Sequence, residues 1–467
     1  MLFERFEESG LSQYSYAVGC PGSGQAAIVD PRRDVDLYLE FAGRRQLQIS
    51  HVLETHIHAD FASGARELSQ LTGAEHWVSG YDKGELYEVS FPHRDVFDGD
   101  ELELGTVRVK ALHTPGHTPE HLSFLVFDGA RSRDVPQLLL SGDFLFVGSL
   151  GRPDLLGEKA KEQLARKFFE SVRLKISDLP DGLVVHPGHG AGSMCGAGMS
   201  ARPMSTLGFE RIANPYLNPK LAREGFVEEI LAKVPPFPDY YRRMKELNSR
   251  GPEILKGLPG NEAIAVDSFR ERIQEGAIVI DLRDQLAFGG GHIPNSYGIG
   301  FAKGLSTWAS WVVPYEKPIL LVAPDPTLVE EAIRALIRVG LDQIQGYLAG
   351  GISSWRDAGF DLQETPQLSA RQLKELLERG SNLSVIDVRS DGEWADGHIA
   401  GSRHHMAGFL PQQLDQVPAG PLAILCGSGY RSTVVTGILE QSGFEDVSNV
   451  TGGITAWRRA GFPVVTD

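Results

Sequence analysis

Two kinds of hydrophobic pattern divide the chain. In its second half, short runs apolar at every position, Ile319-Leu320-Leu321-Val322 and Leu422-Ala423-Ile424-Leu425, precede amphipathic stretches at Thr327 to Val339 and Ser432 to Gln441. A run apolar on both faces suits a strand buried in a parallel sheet, and strands alternating with helices predict parallel α/β domains. The pattern occurs twice. Ile278-Val279-Ile280-Asp281-Leu282-Arg283 is echoed by Ser384-Val385-Ile386-Asp387-Val388-Arg389, and Gly291-His292-Ile293-Pro294 by Gly397-His398-Ile399-Ala400. Gly350-Gly351-Ile352-Ser353-Ser354-Trp355 returns as Gly452-Gly453-Ile454-Thr455-Ala456-Trp457. A period of about a hundred residues is a duplicated domain rather than a solenoid, with the boundary near Gln363 to Leu368, where Pro366 interrupts the pattern.

The first 250 residues read differently. Tyr14 to Val29 predicts two strands joined by a Pro21-Gly22-Ser23-Gly24 turn. A helix from Asp34 to Leu47 leads to a strand, Ile49 to Glu54, followed by β-like stretches at Glu101 to Leu112, Leu122 to Phe127, Leu138 to Leu140 and Leu183 to Val185. Several of these strands end at His or Asp, which predicts a mixed α/β sandwich with a site along a sheet edge. The prolines around Pro235-Pro236-Phe237-Pro238 and the segment Asn248 to Gly260 read as the connection to the repeats. The expected domains are 1–250, 261–362 and 366–467.

Composition narrows the function. The 467 residues carry a formal net charge of −16, which argues against a nucleic-acid partner, since phosphate binding needs a basic face. No apolar run reaches the length of a membrane span, and Met1-Leu2-Phe3-Glu4-Arg5 does not resemble an export signal. Cys20, Cys195 and Cys426 are far apart and odd in number, which predicts free thiols in a reducing, cytoplasmic setting. Cys20 is assigned no role.

Four polar clusters in the first half carry the chemistry: Thr55-His56-Ile57-His58-Ala59-Asp60, Thr114-Pro115-Gly116-His117-Thr118, Ser141-Gly142-Asp143 and His186-Pro187-Gly188-His189-Gly190. Each sits in a loop after an apolar strand, where ligands converge without burying an unpaired charge. A single histidine there is an ordinary hydrogen-bonded loop residue; four clusters in this order predict a metal site. The order resembles the metallo-β-lactamase superfamily, which implies an αββα sandwich with metal at the edge between its sheets. Many members carry a histidine directly after the aspartate of H-x-H-x-D and bind two metals; here that position is Phe61, which cannot coordinate. The resemblance then implies a mononuclear site of His56, His117 and Asp143. Two histidines and a carboxylate with open positions form the facial triad of non-haem Fe(II) oxygenases, and the same set also holds zinc.

Within the superfamily this pattern looks like the persulfide dioxygenases, which implies one Fe(II) per chain, with zinc as the alternative occupant. The implied reaction oxidises a thiol persulfide with O2 to sulfite and free thiol. His58, Asp60 and His189 match superfamily ligand positions and are expected to orient the ligands or hydrogen-bond substrate. Arg152, in Gly151-Arg152-Pro153-Asp154, matches the segment carrying a substrate-binding arginine; it pairs either with an anionic group of the carrier thiol or in a surface salt bridge. Cys195 is either a small buried hydrophobe or a thiol near the metal that accepts persulfide sulfur.

In the last domain an apolar run enters Cys426-Gly427-Ser428-Gly429-Tyr430-Arg431 just before a helix. Backbone N–H groups and the helix dipole there favour an anion, hence thiolate or persulfide. Gly427 and Gly429 permit the curl, and Arg431 adds positive charge. With Asp387-Val388-Arg389, Gly397-His398-Ile399-Ala400-Gly401 and Gly452-Gly453-Ile454-Thr455-Ala456-Trp457 around it, the loop resembles the rhodanese family, which implies sulfur transfer through a Cys426 persulfide. In the first repeat Ala323 stands where Cys426 would, followed by Pro324 and Pro326 and with no counterpart to Arg431. Proline lacks the N–H that cradles an anion, so this repeat is expected to keep the fold without the chemistry, as a spacer or assembly surface.

Together these readings resemble bacterial persulfide dioxygenase–rhodanese fusions: α/β throughout, with thiol persulfide, O2, sulfite and thiosulfate as small-molecule partners, no membrane partner, and a homo-oligomer plausible through the spare repeat. The competing reading is a zinc thioester hydrolase of the glyoxalase II type with an appended sulfurtransferase.

Overall fold

The computed structural model describes residues 1–466, which form two compact units. The first runs from Met1 to Lys256 and takes in Ile337–Gly340; the second holds the two repeats.

The first unit is built on two six-stranded sheets. One contains, in order across the sheet, β1 (Leu2–Glu8), β2 (Gln13–Cys20), β3 (Gln25–Val29), β4 (Gln48–Leu53), β5 (Glu75–Ser79) and β6 (Arg94–Val96). The other is assembled from β7 (Glu101–Leu104), β8 (Val107–His113), β9 (Leu122–Asp128) and β10 (Leu138–Gly142), to which β13 (Val184–Pro187) and β14 (Ser205–Thr206) are added. A small hairpin, β11 (Leu145–Phe146) with β12 (Ser149–Leu150), lies between them in the chain. Because side chains alternate faces along a strand, each sheet serves two cores. Val18, Leu53, Phe124, Val126, Leu138 and Leu140 fill the space between the sheets. Their neighbours Ala17 and Val52 instead pack under the helices Asp36–Arg45 and Ala65–Thr72. Leu125, Phe127 and Leu139 meet the helices Glu158–Leu174 and Arg223–Ala232. The result is the expected αββα sandwich.

The stretch Glu101 to Leu112 is not one strand but a hairpin, β7 and β8, turning at Gly105 in the left-handed region (φ 61°). The helix Tyr240–Arg250 lies between the two stretches read from sequence as connection and takes in the start of the second, Asn248 to Arg250. β1 pairs antiparallel with β2 and mixes apolar Leu2, Phe3 and Phe6 with charged Glu4, Arg5, Glu7 and Glu8.

In the second unit each repeat is a five-stranded sheet with all neighbours parallel. The first comprises β15 (Ala263–Ile264), β16 (Ile278–Asp281), β17 (Tyr297–Gly298), β18 (Ile319–Val322) and β19 (Ile344–Leu348). The second comprises β20 (Gln367–Ser369), β21 (Ser384–Asp387), β22 (Arg403–His404), β23 (Leu422–Leu425) and β24 (Val447–Thr451). β18 and β23 are the all-apolar runs of the sequence and occupy the middle of their sheets, buried at every position.

The repeated motifs are scaffold. Arg283 forks onto Asp281 and donates to the carbonyl of Gly291; Arg389 does the same with Asp387 and Gly397. The histidines of the G-H-I segments stack flat on Phe288 and Trp394. The helix Tyr430–Gln441 is buried from Ser432 to Leu439 because it packs on its own sheet and also on the first repeat. Gly437 lets it approach the Ser296 carbonyl, which would lie 3.1 Å from an added Cβ.

Candidate metal centre and thiol loop

Three strand ends and their loops converge in the first unit. β4 delivers His56, the loop after β8 delivers His117, and the tight turn after β10 delivers Asp143. Gly142 takes φ 51° at that turn. Gly188, after β13, is as close to the site as a residue can come, since a Cβ on it would lie 2.6 Å from Asp143 Oδ1.

The hydrogen bonds around the triad fix its tautomers. Thr55 Oγ1 donates to Asp30 Oδ2 (2.8 Å), so it accepts from His56 Nδ1 (2.9 Å). His117 Nδ1 donates to the carbonyl of Arg152 (2.8 Å). Each ring therefore keeps a lone pair on Nε2. Those two nitrogens and Asp143 Oδ2 are all buried without a hydrogen-bond partner. They converge: His117 Nε2 lies 3.4 Å and His56 Nε2 4.0 Å from Asp143 Oδ2. Three orphaned lone pairs facing one point are costly unless something electropositive sits among them, and all three atoms fall within 4.8 Å of one another. Burial, aided by neighbouring imidazoles and Lys245, holds His56 well below its ordinary value; burial, His121 and Lys245 do the same for His117. Both are then neutral, the form a metal requires. The residues present fit a metal ion bound by two nitrogens and one carboxylate.

The remaining predicted residues surround this point. His189 is clamped between carboxylates, Nδ1 2.7 Å from Asp143 Oδ1 and Nε2 2.7 Å from Asp60 Oδ2. Burial alone would lower its pKa, but the two carboxylates outweigh burial and raise it well above the ordinary value. His58 Nε2 donates to Asp30 Oδ1 (3.2 Å), and its Nδ1 is buried and unpartnered. Phe61 is buried with its ring 4.3 Å from that of His58. Arg152 is buried: it forks onto Asp154 (2.7 and 2.8 Å) and donates to the carbonyls of Met194, Pro235 and Pro236. Cys195 is also buried, 3.6 Å from Tyr241 Oη, and together with Asp60 and His189 forms a second close group of ligand-type atoms. Burial and the charges of Asp60 and Asp143 push its thiol well up.

Other supports carry no motif of their own. Asp30, in the left-handed region at φ 50°, accepts from the Thr55 amide and hydroxyl and from His58. His121 accepts the Asp143 amide on Nε2 (3.0 Å), oriented by Thr114 at Nδ1. Asn248 donates to the carbonyls of His58 and Phe61 and accepts from Ser63, and Lys245 donates to the Ile57 carbonyl. The amphipathic pattern of Tyr240 to Arg250 was the signal available for these last two.

In the second unit Cys426 follows β23 and is buried. Gly429, at φ 109°, donates its N–H to Cys426 Sγ (3.1 Å), and Ser432 Oγ lies 3.4 Å from the same sulfur. The Gly429 N–H is thus a donor to the sulfur, whereas the Ser432 hydroxyl donates to the Gly429 carbonyl (3.0 Å). Arg431 is held sideways in a bidentate pair with Glu393, both contacts 2.6 Å. Although burial opposes it, that pair and Ser390 pull Glu393 down to about 2. Tyr430 Oη donates to the carbonyl of Gly300 in the first repeat. In that repeat Ala323 occupies the cysteine's place, and Asp325 caps a short 3-10 turn at Pro326–Leu328.

Known proteins resemble the chain in the same segments. Residues 9–189 match the metallo-beta-lactamase superfamily, and residues 265–358 and 369–460 each match the rhodanese-like domain. A solved metallo-beta-lactamase from Staphylococcus aureus subsp. aureus COL is 36% identical, covering 74% of this chain and 98% of its own, with a TM-score of 0.65. A hydroxyacylglutathione hydrolase of Maricaulis maris is 30% identical over 44% of this chain and 82% of its own length. The mitochondrial persulfide dioxygenase ETHE1 of Bos taurus is 28% identical over 49% of this chain and 79% of its own. Among the described residues no helix is long and apolar enough to cross a membrane.

Proposed function

Since the chain belongs to the metallo-beta-lactamase superfamily and carries two rhodanese-like domains, we propose that it couples persulfide oxidation to sulfur transfer. At the first site the persulfide of a low-molecular-weight thiol reacts with O2 and water to give the thiol and sulfite. The outer sulfur loses four electrons to O2, and water supplies the third oxygen. At the second, Cys426 carries a sulfur atom as a persulfide and passes it to sulfite, giving thiosulfate, or runs the reverse.

The observation that carries the first half is the convergence of His56 Nε2, His117 Nε2 and Asp143 Oδ2 without partners. In this reading the three hold one iron(II), which when bound brings substrate sulfur and O2 together and supplies the redox chemistry. Thr55 and the Arg152 carbonyl aim the imidazoles. His189 keeps one Asp143 oxygen occupied and holds its protons on the Asp143 and Asp60 sides. With both His189 nitrogens given to carboxylates and Phe61, which cannot coordinate, following Asp60 in the sequence motif, a second metal lacks those two nitrogen donors, which favours a mononuclear oxygenase. The second half rests on the Gly429 N–H donated to Cys426 Sγ, which favours negative charge there.

The hydrolase reading draws on the hydroxyacylglutathione hydrolase relatives. Metal content separates the two: iron with persulfide-dependent O2 uptake supports the dioxygenase, whereas zinc with thioester hydrolysis and no uptake supports the hydrolase.

A further inference from the structure

We propose that a cavity over the Cys426 loop binds the organic chain of the thiol that exchanges sulfur with Cys426, and that the cysteine-less repeat supplies its selective wall. This rests on Cys426 carrying transferable sulfur.

The cavity has a volume of about 360 Å³, within the usual range for small-molecule sites. Ser428 and Tyr430 of the thiol loop form one side, and Leu282, Phe301, Pro324 and Leu328 of the first repeat face them. Pro324 belongs to the very segment that replaces the thiol loop in that repeat. The substitutions that removed an anion cradle have thus left an apolar surface opposite the surviving one, so the first repeat is part of a binding site rather than a spacer.

Two polar groups define what fits. Gln285 lies against Gly429, and its Oε1 is buried with no hydrogen-bond partner. It is an acceptor lacking a donor and packed against Gly429, and a turn of the Gln285 amide, which lines the cavity, would offer it to an amide N–H of a ligand. Among the described residues, the one charged side chain lining the cavity is Asp284, and Arg431, the cation of the loop, is committed to Glu393. An acidic, mostly apolar cavity disfavours a carboxylate-bearing thiol and suits an uncharged aliphatic thiol that carries amides. Pantetheine has this chemistry; glutathione, with two carboxylates, does not.

The exchange is redox-neutral. The Cys426 thiolate attacks the outer sulfur of thiosulfate, the S–S bond breaks, and sulfite leaves with the electron pair. The acceptor thiolate then attacks the outer sulfur of the Cys426 persulfide, forming the new persulfide and returning the Cys426 thiolate.

The test uses the full-length protein with thiosulfate as donor and pantetheine, glutathione or cyanide as acceptor. Wild type is expected to show a higher kcat/KM for pantetheine than for glutathione. In Phe301→Ala and in Gln285→Leu, whose side chain is only half-buried, the pantetheine-to-cyanide ratio of kcat/KM is expected to fall at least fivefold. A loss of folding would lower both acceptors together and leave the ratio where it was. A ratio unchanged in variants whose transfer to cyanide matches that of wild type, or no preference for pantetheine over glutathione in wild type, overturns the cavity's role. Absence of transfer even to cyanide in wild type overturns instead the sulfurtransferase reading on which it rests.

Discussion

His189 Nδ1 lies 2.7 Å from Asp143 Oδ1, and this one contact decides how the Asp143 carboxylate is used. With Oδ1 taken, Oδ2 alone is left facing the lone pairs of His56 and His117. In the proposed site an imidazole held between Asp143 and Asp60 would act by orientation, with the Asp143 carboxylate offering one oxygen to the metal. Replacing His189 by Ala leaves Asp143 free to rotate and two buried carboxylates without their shared partner. Metal affinity should fall about 10–100-fold, measured by competition with a chromophoric chelator.

The triad itself predicts a steeper loss. His117→Ala and Asp143→Ala each remove one of three donors, so the purified variants should contain under a tenth of the wild-type metal and show no persulfide-dependent O2 uptake. Elemental analysis beside an oxygen electrode checks both.

Thr55→Val isolates the aiming of His56. The hydroxyl accepts from Nδ1 and donates to Asp30; valine keeps the shape and removes both bonds. An unsatisfied buried donor costs about 1–3 kcal/mol, and the metal affinity should drop about tenfold or more with the fold intact. Equal affinity in chelator competition would show that the tautomer of His56 is set elsewhere.

Much of this arrangement was legible in the sequence, and the boundary of legibility has a physical cause. β18 and β23 were visible because a strand in the middle of a parallel sheet is apolar on both faces, and His56, His117 and Asp143 because each follows a strand in a short polar motif. Asp30, His121, Lys245 and Asn248 were not, because they act over long separations in the chain: Asn248 meets the loop of His58 and Phe61 nearly two hundred residues away. The resemblance offered Arg152 either an anionic group of the carrier thiol or a surface salt bridge; it does form a salt bridge, with Asp154, but a buried one, its guanidinium also meets backbone carbonyls, and its own carbonyl touches His117. The cavity wall in the first repeat was hidden for a related reason, since a lost motif says nothing of what the altered residues face.

Glu393 gives a pH signature. Its pKa is depressed to about 2 from an ordinary 4.5 by the pair with Arg431. A depressed carboxylate contributes stability that is fully present above its unfolded value and disappears as pH falls through the folded one. The Tm difference between wild type and Glu393→Gln should therefore be constant from neutral pH to about 5, shrink below 4.5 and vanish near 2. The side chain is 41% exposed, so the difference should be small and diminish with salt. A difference independent of pH would assign the effect to packing.

The division of labour between the two units predicts that Cys426→Ser abolishes thiosulfate formation and leaves O2 uptake intact. Loss of both together would mean that the two activities share a step.

The central claim is tested most directly by O2 consumption on adding glutathione persulfide to anaerobically purified protein whose iron and zinc are quantified together. Uptake proportional to iron content, with sulfite or thiosulfate formed, is the predicted result. Zinc-loaded protein that consumes no O2, even after reconstitution with iron(II) and with other persulfides, would contradict it.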